Sequence, residues 1–98
     1  VVTKTFTVDA NDIKPTTEFL PLTVEMVISF YVLSKSGDHT NRRIGIEVTP
    51  NGVDWIRVGG TIKENGHLSV PCNAVAVKPY VSEAEGKVSS VTVIIIAR

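Results

Sequence analysis

The chain has 98 residues, ten basic and ten acidic, and 43% of its residues are hydrophobic. That length fits one domain, residues 1–98, near the usual size of a β-sandwich. Balanced charge leaves no basic stripe for nucleic acid, and no apolar run nears the ~20 residues of a membrane-spanning helix.

Cys72 is the single cysteine, so packing rather than an intrachain disulfide must hold the fold. It reads as a small buried hydrophobe after Pro71. Residues 1–6, VVTKTF, lack the charged-then-apolar pattern of a secretory leader.

The first predicted strand is VVTKTFTV, residues 1–8, with Val2, Phe6 and Val8 on one face and three threonines on the other. A connector follows at residues 9–21, where Asp9, Asn11 and Asp12 favour turns and Pro15 and Pro21 remove backbone donors. A short helical turn at Asp9–Lys14 fits there, and Ile13, Phe19 and Leu20 can tuck the segment under a sheet. Residues 22–33 carry the clearest signal. Leu22, Val24, Met26, Ile28, Phe30 and Val32 alternate along one face of an extended strand, a spacing that a helix would scatter around its circumference.

The polar run SKSGDHTN, residues 34–41, is a turn, and RIGIEVTP then puts Ile44, Ile46 and Val48 inward and Gly45 and Glu47 outward. Asn51-Gly52 tolerates positive φ, which predicts a hairpin across residues 44–58. Gly59-Gly60 marks a bulge, and Asn65-Gly66 a second tight turn. HLSVPC, AVAVKPYV and KVSSVTVIIIAR complete seven or eight strands. This spacing predicts an all-β fold: an antiparallel β-sandwich, jelly-roll-like. In the last strand Val91, Val93 and Ile95 share one face, with Ile94 and Ile96 on the other. Either the connector covers a central strand there, or Val91, Ile94 and Ile96 contribute to a subunit or partner contact.

Catalytic chemistry finds no support. His39 and His67 lie 28 positions apart in predicted turns, without a metal-ligand spacing. Asp9, Asn11 and Asp12 lack the glutamate of a calcium loop, and no GxSxG elbow or phosphate-binding loop occurs. Glu83 and Glu85 form a solvated charge cluster. The expectation is a chain that is not an enzyme and needs no metal or other cofactor. Trp55 reads as a core residue closing the hairpin end; the alternative pairs it with Tyr80 as an aromatic platform for a sugar ring.

Residues 44–98 also resemble a pattern common in tailed-phage structural proteins. There a strand enters a turn of the type S-x-D-G-x-x-W, followed by a short strand with "lG", a second glycine turn, a proline-flanked strand, a V/Y-x-R/K-x-x-V strand and a closing valine-rich strand. Asn51, Gly52 and Trp55 match the first turn, Val58-Gly59 the short strand's end, Gly66 the second turn, and Val77-Lys78-Pro79-Tyr80-Val81 the penultimate strand. The resemblance implies a jelly-roll or immunoglobulin-like domain in a virion structural role. It implies a capsid decoration or accessory protein, homo-oligomeric with a trimer expected, bound to the capsid or another virion protein at the capsid surface. Related sandwiches bind glycans, so a carbohydrate-binding module using Trp55 and Tyr80 is the alternative. An immunoglobulin-like spacer within a longer fibre is a third reading.

Overall fold

A computed structural model describes residues 1–9, 18–33, 43–62, 65–82 and 90–98. All-β character follows from the alternating, β-branched segments, and no helix occurs among the described residues. The described residues form eight strands: β1 (Val2–Asp9), β2 (Leu20–Pro21), β3 (Val27–Leu33), β4 (Arg43–Thr49), β5 (Ile56–Ile62), β6 (Gly66–Pro71), β7 (Ala76–Ser82) and β8 (Ser90–Ala97). They make two four-stranded sheets, ordered β1-β8-β3-β6 and β2-β7-β4-β5, compatible with a β-sandwich. Every pairing is antiparallel.

The pairing is nested. β4 joins β5, β3 joins β6, β2 joins β7 and β1 joins β8, as in one long hairpin rolled over on itself. Its tip is the β4–β5 turn, where the side chains close what the backbone leaves open. Gly52 N donates to Thr49 Oγ1 at 2.8 Å, while Asn51 Oδ1 accepts from Val53 N at 2.9 Å and Asp54 N at 2.8 Å. Gly52 takes a φ of 83°, the left-handed region that glycine enters without steric cost. The expected hairpin is therefore present. A bulge is present too, since Ile44 pairs Ile62 but Ile46 pairs Val58, leaving extra residues on β5 around Gly59. By contrast, β5 and β6 lie in different sheets, so Asn65-Gly66 belongs to a crossover rather than a hairpin, and Gly66 already starts β6.

Alternation fills the space between the sheets. Phe6, Ile28, Phe30, Val93 and Ile95 from the first sheet meet Ile46, Val48 and Val77 from the second, all buried. Each such side chain stabilises the fold by about 1.5–3 kcal/mol through lost apolar exposure. Pro79 is buried within β7, where a missing N–H would ordinarily break a ladder. It is accommodated because β2 pairs only with Ala76 and Val77, so β7 is an edge beyond them.

One predicted strand is shorter than its pattern. Leu22, Ile28, Phe30 and Val32 are buried as expected, yet Val24 is 85% and Met26 62% exposed. Glu25 is the reason. Its Oε2 accepts Thr23 N at 2.7 Å and Val24 N at 2.8 Å, which bends the chain, buries the carboxylate and turns its two apolar neighbours outward. Leu20 is buried while Phe19 remains exposed; the helical turn expected at Asp9–Lys14 and the positions of Ile13 and His39 fall outside the described residues, apart from Asp9, which ends β1.

Candidate functional site

The two outer faces of the sandwich differ sharply in chemistry. On the first sheet, register aligns Thr5, Ile94, Tyr31 and His67 in one row across all four strands. The next row holds Thr3, Ile96, Ser29 and Ser69, and on the other side lie Thr7, Thr92 and Leu33. Among residues 2–8, 27–33, 66–71 and 91–97 the one lysine, arginine, aspartate or glutamate is Lys4. Lys4 takes the inward register, between Val2 and Phe6. The outward face along these stretches therefore carries no formal charge, in a chain that is 20% charged. Arg98, just past β8, stands at its margin.

That face is partly apolar and carries contacts between neighbouring strands. Tyr31 and His67 stack with centroids 5.0 Å apart and planes at 15°, and Ser29 and Ser69 share a 2.8 Å hydroxyl hydrogen bond. Tyr31 and Leu33 are exposed and Ile94 and Ile96 half-buried. Ile94 and Ile96, expected on a contact face, do face outward. Val91 does not belong with them: it is 1% exposed and sits in the core beside Val93 and Ile95, because odd positions of β8 point inward. His67 lies in β6 rather than in a turn.

The second sheet's outer face is charged and self-engaged. Glu47 on β4 stands between Lys78 on β7 and Arg57 on β5, with Arg57 Nε 3.5 Å from Glu47 Oε1. Arg57 also lies over the Tyr80 ring, 4.2 Å from its centroid, and Lys78 Nζ lies 4.3 Å from the centroid of Trp55. Phe19 meets Trp55 at 6.2 Å. Trp55 is thus not the core residue the hairpin suggested; it is half-buried on this outer face, on the same side as Tyr80. The two rings of the expected sugar platform do share a sheet face, but each already holds a cation of the chain itself.

A third surface went unanticipated. The β2–β3, β4–β5 and β6–β7 loops meet at one end, joined by Leu22 N to Val75 O, Val75 N to Thr49 O and Cys72 N to Met26 O, at 2.7–2.8 Å. Val24, Met26, Val53 and Val75 are exposed there. Cys72 is half-buried against the core. Among the described residues no group of three His, Cys, Asp or Glu could hold a metal ion. No family model matches the chain, and no curated protein matches it either.

Proposed function

We propose that the chain is a non-enzymatic virion structural protein that docks the outer face of its first sheet onto a partner protein. The observation that carries this reading is the uncharged strip Tyr31, Leu33, Ile94 and Ile96, bordered by threonines. Interface centres are depleted in charged side chains and enriched in aromatic ones, whereas a solvent-facing sheet would ordinarily carry lysine and glutamate. Four strands about 4.8 Å apart and about 25 Å long present a face of several hundred Å², near the lower range of specific interfaces. The likeness of residues 44–98 to tailed-phage structural proteins favours a capsid or another virion component as that partner. On this reading the chain sits on the capsid surface as a homo-oligomeric accessory subunit. A jelly-roll topology is supported by the nested pairing of β1 with β8 through β4 with β5.

Co-sedimentation with assembled capsids of a tailed phage encoding this chain tests the reading. The wild-type chain is expected in the pellet, and Leu33→Glu, folded by circular dichroism, in the supernatant. A wild-type chain that stays in the supernatant, or a Leu33→Glu chain that pellets equally, overturns it.

A further inference from the structure

We infer that two copies of this chain join edge to edge along β1, making one continuous eight-stranded sheet. This assignment stands apart from the docking of the sheet's face, since it concerns backbone groups at the edge and a second copy of the same chain. β1 pairs with β8 on one side, and among the described residues no strand pairs with its other side. An unpaired edge of this length is a template for another strand. Its counterpart in the second sheet, β2, has two residues and contains Pro21, so it offers little to pair with.

The sequence of β1 selects the occupant. Val2-Thr3-Lys4-Thr5-Phe6-Thr7-Val8 is near-palindromic about Thr5. An antiparallel pair with its two-fold axis at Thr5 sets Val2 against Val8, Thr3 against Thr7 and Lys4 against Phe6. Directly opposed residues in an antiparallel pair point to the same side, so threonine meets threonine on the outer face, while on the inner one valine meets valine and Lys4 meets Phe6. Lys4 Nζ already lies 5.7 Å from the centroid of its own Phe6 ring. The pair brings each Lys4 beside a second Phe6 ring, adding cation–π attraction.

Lys4 also disfavours one neighbouring register. Moving the axis one residue to Lys4 sets the two lysines directly opposite each other, which repels. Such a two-fold contact is isologous and closed, so it stops at two copies. It also doubles the uncharged outer face presented to any partner, because both first sheets point the same way.

Residue 5 on the axis gives the decisive test, since Thr5 is exposed in the single chain and tolerates a charge without disturbing the core. Sedimentation equilibrium should return twice the chain mass for the wild type. Thr5→Lys and Thr5→Glu should each be monomeric, with dissociation constants raised at least tenfold, because each sets like charges against themselves. An equimolar mixture of the two variants should recover the doubled mass. A wild-type monomer or trimer, variants that dimerise unchanged, or a mixture that fails to pair while both variants remain folded each overturns the assignment.

Discussion

The Tyr80 ring fills the space where a side chain at Gly45 would begin: a Cβ built there would lie 2.7 Å from Tyr80 Cζ. Gly45 and Tyr80 are register partners on β4 and β7, so the ring crosses its neighbour strand while Arg57 covers it. Three glycines separate two effects. Gly45 has only a space constraint, Gly52 only its φ of 83° with nothing near it, and Gly59 has both, with φ 70° and Val70 Cγ2 at 2.5 Å from the built Cβ. Urea unfolding should therefore rank the alanine variants. Gly59→Ala is expected to cost most, about 3 kcal/mol or more, because left-handed backbone and crowding add. Gly52→Ala should cost about 1–2 kcal/mol. Gly45→Ala should cost about 1 kcal/mol, because a ring tip can swing aside. Equal losses at all three would show that neither constraint operates as described.

Val91 and Ile94 lie three residues apart on β8 and should respond oppositely. Val91 is core, so Val91→Ala should lower stability by about 1–3 kcal/mol. Ile94→Thr on the outer face should change unfolding by less than about 1 kcal/mol and, on the proposed docking, weaken capsid co-sedimentation. Thermal melts with binding measured on the same samples would check both, and a strongly destabilised Ile94→Thr would place that side chain in the core.

Much of this architecture can be read from alternation alone. Phe6, Ile28, Phe30, Ile46, Val93 and Ile95 stand where period-two patterning puts them, and Asn51-Gly52 turns the hairpin. Alternation failed at Val24 and Met26 because it is blind to a carboxylate that captures two backbone amides. The acidic Glu25 inside an apolar run was the available signal. Trp55 was misplaced because its surroundings are tertiary: Lys78 and Phe19 are far from it in sequence. The uncharged face was legible only in fragments. Thr3, Thr5 and Thr7 alternate visibly, as do Thr92, Ile94 and Ile96, but their union with Tyr31 and His67 depends on a strand order that sequence does not specify.

Glu25 links this loop to pH. Its hydrogen bonds, that from the Thr23 amide foremost, favour the charged carboxylate and hold its pKa below the ordinary value of 4.5. A carboxyl depressed on folding contributes stability that is present above the unfolded-state value and is lost as pH falls through the folded one. Glu25→Gln should accordingly be less stable than wild type at pH 7. That difference should shrink as pH drops below about 4.5, the ordinary carboxylate value. Urea titrations at pH 7 and pH 3 measure it, and a gap that is the same at both values would exclude Glu25 as the source.

Trp55 is the chain's one tryptophan, so its fluorescence reports on the second sheet's outer face without interference. A sugar ring stacks by laying its apolar face on an open aromatic surface, as the aromatic-platform reading requires. Here Lys78 and Phe19 both lie against the indole, and Arg57 lies over Tyr80, so a saccharide would have to displace contacts worth about 0.5–1 kcal/mol each. Titration with soluble oligosaccharides should leave the emission maximum and intensity unchanged at millimolar concentration. Lys78→Ala should shift the emission in the absence of any sugar, because the ammonium against the ring is removed. A saturable, sugar-dependent change in the wild type that is lost in Tyr80→Ala would instead favour the sugar-binding reading over the proposed docking of the uncharged face.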